Sequence, residues 1–400
     1  MMVMVGEPKA AGGPALAGVQ FFFTLGWTVY VIYLPELLAS AHVASTWLPL
    51  LLMADQLIFA VMDMAFALVA DRLADGYQKL ARLLLWLTII STVAFVLLPM
   101  SGKVSSNLLI AVLFIWVLSA SVLRAPTMVL LAKRAKVAQQ GRLVRWYAAG
   151  MALAAALSPY VGTLLKGVDP RLPFALAAVT LLIAVVVLLR AFVATGPEPR
   201  VDAPQPVAFA AYAPVLAVLV LAAGGFQLHA FVNAGPQFLA HAAKESLPWL
   251  MPLLWVGFFS ALPAVGALVK RFGMLTVASV GILLAAIGSY ASGVAASLPS
   301  LVAMQILSGV GWAAAFAGLM EYASKSGTRG AEGLFMGSFF AVLALATFGR
   351  ILLVSQLLPH SPQLRGLMTY LPSGLLLAAG LIAALHAFKV SGRRTDDAQL

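Results

Sequence analysis

Twelve apolar runs, each long enough to cross a lipid bilayer, follow one another along this chain with short polar connectors between them. They fall at 17–40, 46–70, 80–101, 106–131, 143–165, 172–194, 208–234, 246–269, 274–294, 299–322, 331–357 and 366–388. A helix that crosses ~30 Å of hydrocarbon needs about 20 apolar residues. Lipid offers the backbone no hydrogen bonds, so an apolar run of this kind must satisfy its own as a helix. Charged residues make up 10% of the 400, whereas a water-facing domain carries about 25%. The pattern predicts an all-α integral membrane protein with twelve transmembrane helices.

The same composition excludes several classes of function. There is no cysteine, so disulfides and thiolate metal sites are out of reach. His42, His229, His241, His360 and His386 are scattered, without the HxxxH spacing of a helix-borne metal hydrolase. No glycine-rich loop ending in Gly-Lys-Ser or Gly-Lys-Thr is present, so ATP is not the expected energy source. No cofactor is expected beyond a transported H⁺ or Na⁺. The first 18 residues hold Lys9 alone among basic residues and lack the layout of a cleaved signal peptide, so the first run is expected to stay as a helix.

The net charge of +11 does not mark a nucleic-acid binder, because the basic residues sit in the connectors. With the N-terminus inside, the inside segments hold 18 of the 25 lysines and arginines. The outside connectors hold five, Lys103, Lys166, Arg171, Lys244 and Arg365, while Arg124 and Arg350 lie within runs. Positive charge orients membrane proteins toward the cytoplasm, so both termini are expected there, in a cytoplasmic (inner) membrane. The basic stretch from Lys133 to Arg145 reads as topology and anionic-lipid contact. Membrane lipids and a small-molecule substrate are the expected partners, nucleic acid is not, and the chain is expected to act as a monomer.

One connector stands apart. Thr195–Pro206 carries four prolines and falls at the midpoint, which reads as an extended join between two repeats. The expected division is a six-helix bundle at 1–194, a cytoplasmic linker at 195–207 and a second six-helix bundle at 208–400. The second run ends in Ala67-Leu-Val-Ala-Asp71-Arg72 and the eighth in Gly266-Ala-Leu-Val-Lys270-Arg271. An apolar approach, a charge cluster and a tight turn thus recur at the equivalent place in each half. Pseudo-symmetric halves are the usual basis of alternating access, with a substrate site at the midplane.

An ionised group inside the bilayer costs at least about 2.5–3.5 kcal/mol, so each should have a partner or a task. Asp63 lies ~12 Å from the cytoplasmic end of its run, eight residues before Asp71, and Arg124 lies ~13.5 Å from the same end. The two share a depth. Either Asp63 exchanges between Arg124 and a coupling cation, or the two form a permanent pair holding helices together. Asp55 lies a further ~12 Å outward, and with Gln56 it either lines a cavity or forms a local hydrogen-bonded pair. Arg350 has no obvious acid in its own half, which points to an anionic substrate group or to a cross-half pair with Asp55 or Glu36. His229 lies among Gly224-Gly225, Gln227, Asn233 and Gly235-Pro236, a composition that permits local unwinding beside a cavity. Its alternative role is a hydrogen bond to a neighbouring helix. Among interior aromatics, Trp27, Tyr30 and Trp312 are the candidates for stacking on a sugar, although such rings also simply pack.

These residues resemble the major facilitator superfamily, whose second-to-third loop carries a glycine, Asp-Arg, another glycine and basic residues. Asp71-Arg72, Gly76, Lys79 and Arg82 match, with Ala67 where glycine is usual. Within it, the chain resembles the glycoside–pentoside–hexuronide cation symporters through Asp63, Gly309, Gly311, Glu321 and Glu332-Gly333. It departs at Met64, where proline is usual, and at Phe59, where a second aspartate is usual. The resemblance implies two six-helix bundles and a cation-coupled symporter. It also implies a cytoplasmic gate of Asp71, Arg72, Asp75, Lys270, Arg271, Arg329 and Glu332, latched in the outward-facing state.

The expected function is secondary active transport of a small polar solute, a sugar or organic acid, coupled to H⁺ or Na⁺. A proton-driven exporter of amphipathic compounds is the alternative. A membrane enzyme would need a catalytic set at one depth, and a non-transporting sensor would normally add a soluble domain. The absence of cysteine gives orientation a clean test. In intact spheroplasts Ser361→Cys should react with a membrane-impermeant maleimide, and Ser391→Cys should react only after permeabilisation.

Overall fold

A computed structural model describes residues 12–73, 77–134, 137–193, 208–327 and 330–397. Twelve of its helices are long and apolar enough to cross a membrane. They are α1 (Gly13–Ser40), α2 (Trp47–Arg72), α3 (Gln78–Ser101), α4 (Ser106–Lys133), α5 (Val137–Leu164), α6 (Arg171–Ala191), α7 (Phe209–Leu239), α8 (Lys244–Phe272), α9 (Met274–Gly293), α10 (Leu298–Ser326), α11 (Glu332–His360) and α12 (Leu371–Val390). Among the described residues there is no strand. The last helix begins at Leu371 rather than 366 because Pro362–Leu367 turns into a short helix of its own. The proline-rich segment expected to join the halves, and with it Asp75 and Arg329, lies outside the described residues.

Near three prolines these helices depart from regular geometry, while Pro35, Pro99, Pro159, Pro214 and Pro263 lie within unbroken α-helical segments. Proline lacks an N–H and crowds the carbonyl four residues back, so the turn before it can loosen or break. In α4, Pro126 follows a tight turn at Ser121–Leu123, and Arg124 leaves helical geometry at φ −96°, ψ −106°. A second helical segment, Ala125–Arg134, then completes the crossing. In α7 a π turn at His229–Asn233 precedes Pro236, and in α11 a π turn at Leu353–Leu357 precedes Pro359. The unwinding expected near His229 therefore takes the form of a wider turn within a continuous helix.

Helices α1, α5 and α6 pack together, α3 joins α4 and α6, and α2 leans on α4. In the other half α7 packs on α11 and α12, α9 on α10 and α12, and α8 on α10. Two seams join these groups, α2 against α11 and α5 against α8. Lipid-like surroundings provide no hydrophobic drive between helices, so close approach through small residues supplies the contact. On the α2–α11 seam a Cβ at Gly333 would collide with the Ala67 carbonyl, and one at Gly337 would press on the Ala67 side chain at 2.8 Å. Asp71 near the end of α2 meets Lys133 at the end of α4 and Gly333 at the start of α11, and Arg145 of α5 meets Glu321 of α10, at one end of the bundle, here termed the basic end. At the opposite end Tyr160 and Trp249 meet edge to face, with ring centroids 4.9 Å apart.

Overpacking a tight site costs about 1–3 kcal/mol, so Gly333→Leu should lower the thermal unfolding midpoint of the purified protein. Gly349→Leu serves as the control, because a Cβ there meets nothing within 4 Å. Equal midpoints for the two variants would show that the α2–α11 approach is looser than described.

Candidate functional site

The break in α4 builds the central feature. It frees the carbonyls at the end of the first segment, and these find partners: Gln20 Nε2 donates to the Leu123 carbonyl at 2.9 Å, and Thr127 Oγ1 to that of Val122 at 3.1 Å. At the break itself Arg124 turns inward, with its Nε 3.2 Å from Asp63 Oδ2. Asp63 has no exposed surface. The guanidinium lies over the Phe59 ring at 4.7 Å and near that of Phe340 at 5.8 Å, and its Nη2 donates to the Phe340 carbonyl at 3.2 Å. One ion pair thus joins α2 and α4 and reaches across the seam to α11.

Asp55 occupies a different environment. It is fully buried and accepts a 2.7 Å hydrogen bond from the Tyr30 hydroxyl. Its Oδ1 has no hydrogen-bond partner among the described residues. Around it Trp27 stacks on Trp116 at 5.7 Å, Tyr30 lies 4.5 Å from Trp116, and Trp27 lies 5.4 Å from Phe59. Of the two arrangements open to Asp55, the geometry is that of a local hydrogen-bonded pair.

The residues expected to touch substrate are not gathered into one cavity. Tyr30 is buried against Asp55, and Trp312 is buried with its ring stacked on Phe226 at 4.2 Å. His229 is buried beside Gln305, which donates to Gln237 Oε1 at 3.1 Å. Asn233 Nδ2 donates to the Met368 carbonyl at 2.6 Å, tying the π turn to the segment before α12. Arg350 lies elsewhere, in a crevice of about 330 Å³ between α7 and α11 walled by Val220, Gly224, Leu228, Leu345 and Gly349. Its guanidinium covers the Phe231 ring at 5.0 Å, and among the described residues its Nε has no partner and neither Asp55 nor Glu36 pairs with it. Helical spacing predicts depth well but leaves the direction of a side chain open, which is why these rings and this arginine separate.

At the basic end Asp71 accepts the Gly333 and Leu334 amides at 2.7 and 2.9 Å, the first turn of α11. A helix start presents free N–H groups and positive potential, so a carboxylate fits there without an arginine. Lys133 Nζ stands 3.9 Å from Asp71 and donates to the Ala70 carbonyl at 2.5 Å. Glu332 accepts the Gly330 amide at 2.9 Å. Arg72, Lys270 and Arg271 are exposed, and Arg271 lies over the Phe272 ring at 5.1 Å.

The other seam carries a second latch that sequence reasoning missed. Arg145 Nη1 lies 3.8 Å from Glu321 Oε2, Lys325 donates to Glu321 Oε1 at 2.6 Å, and Ser324 donates to Gln140 Oε1 at 3.1 Å. Lys133 and Arg145 therefore do more than set topology. The only hint in the sequence was Glu321 itself, since nothing local shows that α5 crosses α10 at that height.

Twelve apolar helices long enough to cross a membrane, with a buried ion pair at their seam, are the architecture of a multi-pass membrane protein. The chain belongs to the Major Facilitator Superfamily, whose sequence profile matches residues 16–349. Solved structures with the same fold include a bacterial homologue of the iron transporter ferroportin in an outward-facing state, at 14% identity and a TM-score of 0.67 over 94% of this chain and 99% of that one. The human organic anion transporter MFSD10 (TETRAN) matches at 14% and 0.67 over 96% and 99%. The E. coli fucose:proton symporter FucP matches at 13% and 0.68 over 94% and 98%. Among curated proteins none matches the sequence significantly.

Hydrogen bonds to a charged acceptor contribute about 1.5–3 kcal/mol, and each 1.4 kcal/mol is roughly tenfold in an equilibrium. Asp71→Ala should therefore raise amide hydrogen exchange at the start of α11, around Gly333 and Leu334, at least about tenfold. Exchange in α9 should stay as it was.

Proposed function

We propose that this chain is a secondary active transporter that carries a small polar solute, a sugar or an organic acid, by alternating access driven by a proton gradient. The observation behind this reading is the buried Asp63–Arg124 pair at the α4 break, bonded across the seam to α11. Paired, Asp63 is ionised and Arg124 is neutralised, and the seam is held through the Phe340 carbonyl. A proton on Asp63 removes the counter-charge and leaves Arg124 as a lone cation in an apolar site, which is costly. The halves then gain by moving to an arrangement in which Arg124 meets water or a substrate. Opposite charge favours the ionised acid and burial disfavours it, so protonation and conformation bias one another.

A proton suits this site better than Na⁺, which would share its one carboxylate with a guanidinium and otherwise meet aromatic walls. Asp55 supports a second, separate protonation in α2, since no cation neutralises it among the described residues. The resemblance to the glycoside–pentoside–hexuronide symporters supports a sugar as solute. The division into 1–194, 195–207 and 208–400, a monomeric state and cytoplasmic termini belong to the same proposal. One observation favours a second reading, export of amphipathic compounds: the crevice holding Arg350 is otherwise apolar. Its positive charge points to amphiphiles that are anions.

In proteoliposomes Asp63→Asn should abolish uptake driven by a proton gradient while solute exchange between the two sides continues. Sugars and organic acids form the panel. Gradient-driven uptake that survives the substitution would reduce Asp63 to a structural partner of Arg124. Proton release on adding amphipathic anions, with silence toward sugars, would favour the exporter.

A further inference from the structure

The α5–α8 seam widens at the basic end into a vestibule of about 580 Å³. Arg142 and Arg145 of α5, Lys270 of α8 and Lys325 of α10 bring four positive charges to its walls, and Glu321 one negative charge. Glu321 is already engaged, 2.6 Å from Lys325 and 3.8 Å from Arg145. Arg142 and Lys270 have no acidic partner among the described residues. Like charges gathered in one concave space attract an anion by the sum of their fields.

Two further details shape the space. A Cβ at Gly266 would press on the Arg145 guanidinium at 2.7 Å, and one at Gly141 would collide with the Glu321 carboxylate. Glycine at both positions leaves room for the ion pair as a back wall. Gly273, at φ 86°, turns the chain directly into α9, and Met274, Leu275 and Thr276 line the vestibule. The Val277 amide bonds to the Gly273 carbonyl, so the three amides before it have no helical acceptor. Gly273 has no side chain to cap them.

We propose that this vestibule is a phosphate-binding site, held by Arg142, Lys270 and the first amides of α9. Several fixed donors around one tetrahedral oxyanion are the chemistry that phosphate takes. The group can come from the headgroup of a phospholipid with net negative charge or from free phosphate. The rim of Phe272, Val269 and the α12 residues Ala387 and Val390 is apolar and gives acyl chains a surface to follow. A bound phosphate lies beside Arg145 and Lys325 and competes with Glu321 for both. Occupancy therefore loosens the α5–α10 latch, and the anion acts on the transport cycle without being the cargo.

The test uses the full chain, delipidated in neutral detergent, with thermal unfolding followed at constant ionic strength. The additions are phosphatidylglycerol, phosphatidylcholine and inorganic phosphate. Phosphatidylglycerol should raise the midpoint by about 3 °C where phosphatidylcholine does nothing. The rise should vanish in the double variant Arg142→Gln/Lys270→Gln and return in Arg142→Lys/Lys270→Arg, which controls for folding. The same pattern with inorganic phosphate, and no further gain from lipid, would support the site with a free source. No response to either phosphate, or a response that survives Arg142→Gln/Lys270→Gln, would overturn the proposal.

Discussion

A charge inside a bilayer has to be met by another charge or by an array of dipoles, and Asp63 with Arg124 is where this chain meets that demand. The pair exists because Pro126 stops α4 from running through as a single helix, which lets Arg124 leave the ladder at the depth of Asp63. The freed carbonyls are taken by Gln20 and Thr127, so the break is satisfied as well as the charge. The third contact, to the Phe340 carbonyl, makes the pair a property of both halves. The closeness of α2 to α11, through Gly333 and Gly337, depends on small residues that let this contact form.

The basic end works on another scale. Its ion pairs are part-exposed, and such pairs contribute only about 0.2–1 kcal/mol each, less than the hydrogen bonds Asp71 receives from α11. Two different devices join its helices. On one seam a carboxylate caps the start of a helix, and on the other an arginine and a lysine share one glutamate. Asp63 has no exposed surface, whereas both partners of the Lys133–Asp71 pair are partly exposed. The π turns before Pro236 and Pro359 add loosened backbone in two helices of the second half, and Asn233 pins one of them to the segment before α12.

Much of this was legible in the amino-acid order and some of it was not. Apolar length specified twelve crossings, and their ends agree with the structure to within four residues except at the start of α5, the end of α7 and the start of α12. Counting residues from Asp71 and Lys133 placed Asp63 and Arg124 at one depth. Depth says nothing about azimuth, however. Tyr30 and Asp55 share a hydrogen bond, Trp312 stacks on Phe226, and Arg350 faces a crevice apart from both. Each depends on how its helix is rotated against neighbours from distant parts of the chain.

What the sequence by itself determined are the quantities that lipid imposes on any chain: the number of crossings, their length, and which residues need a partner. These follow from hydropathy and from the cost of a bare charge, both local properties. Only the tertiary structure decided which partner each group receives. Arg145 faces Glu321 because α5 crosses α10 there, and Asp71 receives backbone amides because α11 starts beside α2. Helix rotation and register are settled by the packing of small residues over the whole seam, and no stretch of sequence carries that information alone.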